Sequence, residues 1–372
     1  MYRALMLAPL FLSLPLAAQT LNSHQVNPDG SITFRYQNPG ATTVTVDTDA
    51  AAQPLAMQRG DKGMWSVTTP SLPPEYYSYT FVVDDVPQLD PVNHAVIPNL
   101  VGLADSVLVP GQPPKPWELT AIPHGDVTRY VYTTHIAKNL PENQEAYLVY
   151  TPPGYDAHRK GGYPVLYLLH GWSDAETGWM EVGRANLILD SMLVERKIVP
   201  MIVVMPLGYG NFHFVTGTYD DAWNYPTRIQ ENVALFSHML LDEIIPAVER
   251  DYNIAPGRED HAIAGLSMGG LESLTVGLHH SDEFAWVGAF SAALEHHNFN
   301  ENIPGFTSRQ ANLRLLWIAC GTGDAIHIGP TRELVSWAKG EGLPVVGTET
   351  TGGHAWLVWR DNLLQFAPLL FR

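Results

Sequence analysis

The hydrophobic pattern of this chain changes at about residue 110. Before that point, apolar and polar residues alternate in short runs that turn residues separate. The clearest runs are Ser31–Tyr36, Thr43–Val46, Gly63–Val67 and Tyr76–Val83. A period of two places successive side chains on opposite faces of a β-strand. The pattern therefore predicts a small β-sandwich over residues 19–110.

A proline-rich segment separates this region from the rest of the chain. Residues 111–118 read Gly-Gln-Pro-Pro-Lys-Pro-Trp-Glu. Prolines favour an extended backbone, so we expect a stiff linker here. The chain has 372 residues, and single cores tend to divide beyond about 250 to 300 residues. We therefore predict a second domain over residues 119–372.

Strands and helices alternate in this second region. The predicted strands are Thr128–Ile136, Glu145–Thr151, Tyr163–Leu169, Met201–Met205, His261–Leu266, Trp286–Phe290, Leu313–Ala319 and Val345–Glu349. The clearest helices are Ala185–Glu195 and Glu231–Arg250. Such alternation is typical of a mostly parallel sheet that helices cover on both faces. The continuous apolar run Tyr163–Leu169 fits a strand that is buried on both of its faces.

The first 18 residues predict a secretory signal that is not part of the fold. Arg3 precedes the apolar run Ala4–Leu16, which two prolines interrupt, and the pair Ala17-Ala18 follows. A membrane span needs roughly 20 apolar residues, and this run is shorter. We therefore expect a cleaved signal over residues 1–18 and a secreted or periplasmic protein.

The chain is strongly acidic. Its 21 Lys and Arg residues stand against 38 Asp and Glu residues, which gives a formal net charge of −17. A surface of this sign repels nucleic-acid phosphates and anionic membranes. We therefore expect neither nucleic acid nor a membrane among the partners of this protein. Its oligomeric state is not predicted.

Residues 265–270 carry the clearest chemical signal. They read Gly-Leu-Ser-Met-Gly-Gly and match the nucleophile-elbow pattern G-x-S-x-G. The apolar run Ala262–Leu266 precedes the serine, and the helix-compatible run Leu271–Leu278 follows it. A sharp strand-to-helix turn of this kind lifts the serine hydroxyl above the sheet. We therefore predict an α/β-hydrolase fold with Ser267 as the nucleophile.

A serine hydroxyl needs a base and a group that orients the base. In this fold the acid and then the histidine follow the serine along the chain. His354 ends the glycine loop Thr351–His354 after a predicted strand, and we expect it to be the base. Asp324 ends a tight turn after the strand before it and is the predicted acid, with Glu333 as the alternative.

An oxyanion formed in ester cleavage needs backbone donors, each worth roughly 3 to 4 kcal/mol when removed. The amide of Met268, the residue after the nucleophile, is the first predicted donor. The second is expected in the loop that follows Leu168-Leu169-His170-Gly171, at Trp172. We expect the His170 side chain to support this loop by a hydrogen bond.

Four motifs of the second region carry a resemblance to a known family. They are Leu169–Gly171, Gly265–Gly270, Cys320–Asp324 and Gly352–Trp356. In this order they resemble the putative esterase family that includes feruloyl esterases, acetyl xylan esterases and esterase D. The feruloyl esterases of carbohydrate esterase family 1 look most similar. The resemblance implies the nucleophile, acid and base roles at Ser267, Asp324 and His354.

The first region resembles the early-set, immunoglobulin-like domain that precedes such esterases. The matching stretch is Asp90-Pro91-Val92-Asn93. Aromatic residues of the region, such as Trp65, Tyr76 and Tyr77, are equally explained as sandwich core. We favour docking against the second domain over carbohydrate capture.

Several aromatic residues are expected in loops around the site. They are Trp172, Trp179, Tyr209, Phe212, Phe214, Tyr219 and Trp223. Two interpretations stay open. Trp179, Tyr209 and Trp223 form a substrate wall for a planar acyl group such as feruloyl, or the loop aromatics simply cover the core.

Residues and resemblance together predict a secreted serine esterase acting on feruloyl esters of plant cell-wall polysaccharide. An acetyl xylan or other short-acyl esterase, or an esterase of a siderophore or other small ester, is the alternative within the same class. A non-catalytic carbohydrate-binding protein is the alternative from another class, and a full set of triad candidates disfavours it. No His-Glu-x-x-His or comparable ligand spacing occurs, so we expect no metal and no organic cofactor.

Overall fold

The computed structural model describes residues 22–294, Phe299 and residues 312–372. The predicted signal, residues 1–18, lies outside these residues. Within the described part of the chain, every helix is too short or too polar to traverse a lipid bilayer.

Two antiparallel sheets form the first region. In the described residues, one sheet has the order β1-β2-β6-β5, and the other has the order β4-β3-β7-β10-β9, with β8 paired to β7. The strands are β1 His24–Val26, β2 Ile32–Gln37, β3 Val44–Thr48, β4 Leu55–Ala56, β5 Gln58–Arg59, β6 Met64–Thr68, β7 Glu75–Val83, β8 Val86–Gln88, β9 Val96–Ile97 and β10 Ala104–Val109.

Alternating side chains of these strands form a core between the two sheets. Along β7, buried and partly buried residues alternate without interruption. The ring of Tyr79 lies 4.8 Å from that of Phe34, and the ring of Phe81 lies 4.7 Å from that of Tyr36, measured between centroids. These contacts join β7 of one sheet to β2 of the other, so the alternation in the sequence produces a sandwich.

One larger sheet organises the second region. Its order in the described residues is β11-β12-β14-β13-β15-β16-β17-β18. The pairings of β12 with β11 and with β14 are antiparallel, and the others are parallel. The strands are β11 Asp126–Thr133, β12 Gln144–Thr151, β13 Val165–Leu169, β14 Ile202–Pro206, β15 His261–Leu266, β16 Trp286–Phe290, β17 Leu315–Gly321 and β18 Val345–Thr350.

Helices cover both faces of this sheet. They are α1 Gly178–Glu181, α2 Ala185–Val194, α3 His213–Thr216, α4 Tyr219–Trp223, α5 Pro226–Met239, α6 Ile245–Asp251, α7 Met268–His279, α8 Ile328–Gly340 and α9 Trp356–Phe366. Along β13, Tyr167 and Leu169 belong to one core, and Leu166 and Leu168 belong to the other. Burial on both faces explains why this strand is an uninterrupted apolar run.

Two element boundaries differ from the sequence prediction. The single helix predicted over Glu231–Arg250 is α5, a π-helical turn at Leu240–Ile244, and α6. Pro246 has no N–H to donate four residues back, which interrupts the regular ladder at this point. The first strand of the sheet was predicted to reach Ile136 but ends at Thr133. The hydroxyl of Thr134 accepts the N–H groups of Ile136 and Ala137, which starts a turn.

A buried arginine joins the two regions. Arg360 of α9 forms an ion pair of 2.8 Å with Glu75 of β7. Its guanidinium also donates to the carbonyl oxygens of Val182, at 2.7 Å, and Tyr76, at 3.3 Å. Arg360 is 1% exposed, so its charge depends on these partners rather than on water.

We predict that Arg360→Met lowers the free energy of unfolding by about 3 to 5 kcal/mol, because the Glu75 carboxylate stays buried without its partner. Urea denaturation followed by tryptophan fluorescence measures the change. Arg332→Met is the matched control, because the pair between Arg332 and Glu349 lies at the surface and its loss has a much smaller effect. Equal losses in the two variants would contradict the prediction.

Candidate active site

Ser267 occupies the sharp turn between β15 and α7. Its backbone has φ 51° and ψ −113°, a region that residues other than glycine rarely adopt. Two glycines allow the strand and the helix to approach here. A Cβ atom on Gly265 would lie 2.4 Å from the carbonyl oxygen of Gly269, and one on Gly269 would lie 2.4 Å from that of His170. No other residue type fits either position.

Backbone hydrogen bonds hold this turn in place from both sides. The amide of Ser267 donates to the carbonyl oxygen of Phe290 in β16, at 2.9 Å. The serine carbonyl in turn accepts from the amides of Leu271, at 3.1 Å, and Ala293, at 3.0 Å. The neighbouring strand and the first turn of α7 therefore sustain the strained backbone of the serine.

His354 connects the serine to a buried carboxylate. Its Nε2 lies 3.0 Å from Oγ of Ser267, and its Nδ1 lies 2.7 Å from Oδ2 of Asp324. The carboxylate accepts the Nδ1 proton, so Nε2 presents its lone pair to the serine hydroxyl. The three side chains predicted from the sequence thus lie in one hydrogen-bonded row, whereas the alternative acid Glu333 lies on α8.

The surroundings of Asp324 favour its ionised form. Its Oδ1 accepts the amide of His327 at 3.1 Å, and Sγ of Cys320 lies 3.7 Å from its Oδ2. Burial alone would raise the pKa of Asp324, but the hydrogen bond and charge of His354, with a further effect of His327, hold this pKa below its usual value. A buried carboxylate that stays charged is suited to orient and stabilise an imidazolium.

His327 also belongs to the site, although the sequence analysis gave it no role. Its ring centroid lies 4.7 Å from that of His354. Burial, together with the charge of His354, lowers the pKa of His327 to about 4. A neutral ring can therefore pack on His354 without adding a second charge. His327 follows Asp324 by three residues in the same turn, and this spacing could have indicated from the sequence that it lies in the site.

A cavity of about 550 Å³ opens over Ser267 and His354. Its walls are mainly apolar and aromatic, and include Trp172, Tyr219, Trp223, Pro226, Leu294 and Ile326. Concave, mainly apolar sites of about 300 to 1,000 Å³ with a few polar groups are typical of small-molecule binding. A smaller cavity of about 260 Å³ lies between the two regions and contains none of the three hydrogen-bonded residues.

Of the three aromatic residues predicted to contact substrate, Trp223 lines this cavity and two do not. Trp179 and Tyr209 are 0% exposed. The indole N–H of Trp179 donates to the carbonyl oxygen of Leu169 at 2.8 Å. The hydroxyl of Tyr209 donates to the carbonyl oxygen of Asp174 at 3.1 Å. The prediction for these two residues is wrong, because both side chains point into the core and satisfy backbone carbonyls there.

The two predicted oxyanion donors lie beside the serine. Met268 is the first residue of α7, and the first amides of a helix have no acceptor within it. The positive end of the helix dipole lies at the same place. Trp172 lines the cavity together with Ser267. Its indole N–H donates to the carbonyl oxygen of Phe214 at 2.8 Å, which fixes the ring at the wall.

His170 supports the loop that carries Trp172. Its Nε2 accepts the amide of Gly208, and its Nδ1 donates to the carbonyl oxygen of Gly171, both at 2.8 Å. Complete burial lowers the pKa of His170 to about 4, so the ring is neutral and its tautomer is defined by these partners. The carbonyl of His170 accepts the amide of Gly269, at 3.0 Å, which joins the loop to α7.

Two groups of described residues have the donor atoms to hold a metal ion. One is Asp324, His327 and His354, and the other is Glu249, His261 and Glu283. In the first group, Nδ1 of His354 already binds Oδ2 of Asp324. In the second, Nδ1 of His261 binds Oε1 of Glu283 at 2.7 Å. In each group, a hydrogen bond therefore joins two of the three members.

Comparison with known proteins places this site in a family. A family model described as "Putative esterase" matches residues 140–370. An "Endo-1,4-beta-xylanase/feruloyl esterase" of Xylanibacter ruminicola is 29% identical over 359 residues, which are 93% of this chain and 46% of that protein. The chain thus spans less than half the length of this relative. An "Acetyl esterase" of Caldicellulosiruptor saccharolyticus is 25% identical over 232 residues, 53% of this chain and 79% of that protein.

Solved structures share the fold. A ferulic acid esterase, 26% identical, aligns with a TM-score of 0.54 over 66% of this chain and 97% of its own. The enterobactin esterase of Shigella flexneri, 18% identical, aligns with a TM-score of 0.68 over 91% of this chain and 92% of its own. The chain therefore has the α/β-hydrolase fold behind an N-terminal β-sandwich, as the sequence predicts.

We predict that Gly265→Ala lowers the rate at which a fluorophosphonate labels Ser267 by about 100-fold, since a shift of about 1 Å at a reacting atom has an effect of this size. The added methyl group collides with backbone and displaces the turn. Gly340→Ala is the control, because its Cβ meets no atom within 4 Å. Labelling at the wild-type rate in Gly265→Ala would refute the prediction.

Proposed function

The chain belongs to the putative esterase family, and we propose that it hydrolyses carboxylic esters through an acyl-enzyme. Ser267 is the nucleophile, His354 the general base and Asp324 the acid that orients the base. The observation that carries this proposal is the hydrogen-bonded row from Oγ of Ser267 through the imidazole to the buried carboxylate.

The reaction is acyl transfer to water in two steps. Nε2 of His354 accepts the proton of Ser267 as Oγ attacks the ester carbonyl carbon. The amides of Met268 and Trp172 bind the oxyanion of the tetrahedral intermediate, each worth roughly 3 to 4 kcal/mol. The carbon–oxygen bond to the alcohol breaks, and the alcohol takes the proton from His354. Water then attacks the acyl-enzyme and gives a proton to His354. The bond between the acyl carbon and Oγ breaks, Ser267 takes the proton back from His354, and the carboxylic acid leaves.

Asp324 contributes without exchanging a proton itself. It holds His354 in the tautomer that leaves Nε2 free, and its negative charge stabilises the imidazolium that forms in each step. The reaction requires neither a metal ion nor an organic cofactor.

As substrate we propose hydroxycinnamoyl esters, such as feruloyl esters, of plant cell-wall polysaccharide. Two similar proteins support this choice by their names: the endo-1,4-beta-xylanase/feruloyl esterase of X. ruminicola and the ferulic acid esterase of known structure. The cavity supports it by size and composition, because a planar aromatic acyl group suits walls formed by Trp172, Tyr219 and Trp223. A polymeric substrate outside the cell agrees with the export signal proposed at residues 1–18.

An acetyl ester is the second candidate, because a relative of this chain is named as an acetyl esterase. An acetyl group would leave most of a cavity of about 550 Å³ empty. The relative values of kcat/KM on methyl ferulate, acetylated xylan and p-nitrophenyl acetate distinguish the two substrates. A clear preference for the acetates would replace the feruloyl proposal.

We predict that Ser267→Ala lowers kcat for ester hydrolysis by about 10⁴- to 10⁶-fold, because it removes the nucleophile. The circular dichroism spectrum should stay that of the wild type. Ser191→Ala, on α2, is the control and should keep full activity. If Ser267→Ala were as active as the wild type, the proposed mechanism would be wrong.

We predict that Trp223→Ala lowers kcat/KM for methyl ferulate by about 10-fold, equivalent to about 1.4 kcal/mol of lost aromatic contact. The effect on p-nitrophenyl acetate should be much smaller, because its acyl group does not reach the aromatic wall. Tyr225→Ala serves as control, since Tyr225 is a 52% exposed aromatic residue nearby that does not line the cavity. Equal losses on both substrates would argue against an aromatic acyl site.

A further inference from the structure

The β-sandwich reaches the loop that carries the proposed oxyanion donor Trp172. We call residues 171–174 the oxyanion loop. The side-chain amide of Asn99 donates to Oγ of Ser173 at 2.9 Å and to Oδ1 of Asp174 at 3.3 Å. The backbone amide of Leu100 donates to the carbonyl oxygen of Ser173 at 2.7 Å. Three hydrogen bonds from the first region therefore end on the two residues that follow Trp172.

The contacted backbone is of a kind that needs outside support. Ser173 has φ 74°, a conformation that is unfavourable for a residue with a side chain and persists only when its surroundings hold it. The neighbour Asp174 is buried, and its burial raises the pKa of its carboxyl to about 7, against the hydrogen bonds from Asn99 and the Gly171 amide. Leu100 therefore holds the backbone of the strained residue Ser173, and Asn99 holds its side chain and the buried acid Asp174.

The two ends of the oxyanion loop have different supports. On the N-terminal side, His170 and the amide of Gly269 hold the loop to the catalytic domain. On the C-terminal side, the hydroxyl of Tyr209 binds the carbonyl of Asp174 and also contacts the backbone of Ser173. Asn99 and Leu100 of the first region add further bonds to Ser173. The position of the Trp172 amide thus depends on groups from both regions.

Asn99 is itself well ordered for this task. Its Oδ1 accepts the amides of Val101, at 3.0 Å, and Gly102, at 3.2 Å. These bonds fix the side chain, so its NH₂ group points at the oxyanion loop without a further loss of rotamer freedom.

We propose that Asn99 is a positioning residue through which the β-sandwich holds the Trp172 amide in place for the oxyanion. The sandwich then takes part in the catalytic step rather than only covering the domain or binding polymer. This inference rests on the proposed ester hydrolysis.

Asn99→Asp tests the proposal with a minimal change of shape. The variant keeps the oxygen that accepts from Val101 and Gly102, removes the donor, and sets a second carboxylate against Asp174. Because burial already raises the pKa of Asp174 to about 7, the assays are run at about pH 9, where the two carboxylates carry like charges that repel and displace the loop. We expect kcat for p-nitrophenyl acetate to fall about 10- to 100-fold, with KM changed by less than about 3-fold, because the amide acts mainly on the transition state.

The double variant Asn99→Asp with Asp174→Asn exchanges the roles of the two side chains, so that residue 174 donates and residue 99 accepts. It should restore kcat to within about 3-fold of the wild type. Asn38→Asp is the matched control. Asn38 accepts the amides two and three residues later, as Asn99 does, and these bonds lie within the sandwich. Its kcat should equal that of the wild type.

Two results would overturn the inference. One is a wild-type kcat in Asn99→Asp. The other is a loss of kcat that the double variant does not restore although its thermal unfolding midpoint has returned to the wild-type value. A wild-type chain that hydrolyses no ester, or an active Ser267→Ala variant, would instead refute the proposed function, so the two failures are distinguishable.

Discussion

The strained backbone of Ser267 is the constraint around which the second domain is arranged. A residue with a side chain adopts φ 51° only where its neighbours impose it. Here β16 binds its amide, α7 begins at the next residue, and Gly265 and Gly269 lie too close to other backbone to carry a Cβ. The strain places the hydroxyl above the carboxyl edge of the sheet, where the ends of the neighbouring strands also lie.

The parallel order of the strands brings distant residues to that edge. Asp324 follows β17 and His354 follows β18, and these strands are neighbours in the sheet. The carboxyl ends of parallel strands meet at one edge, which is why residues far apart in the chain share hydrogen bonds there. The oxyanion loop follows β13 and His170 at the same edge, and it carries Trp172 at the wall of the cavity. The site therefore consists of strand ends, with little freedom in their relative positions.

Polar contacts couple the first region to this edge, beside the packing of Tyr76 against a core of the second region. Arg360 and Glu75 form a buried ion pair only a few residues from His354, and Asn99 binds the loop beside Trp172. Buried polar groups of this kind have one favourable arrangement, because each lost partner leaves an unsatisfied charge or dipole.

Local patterns in the amino-acid sequence were enough to predict several parts of this protein. Alternation indicated the sandwich, apolar runs indicated the parallel sheet, and the motifs around Ser267, Asp324 and His354 named side chains that the structure brings together. The direction in which each side chain points was visible only in the folded chain. Trp179 and Tyr209 turn into the core while Trp223 lines the cavity, and Asn99 reaches a loop about 75 residues away along the chain. Those outcomes follow from packing between distant segments, which no local pattern records.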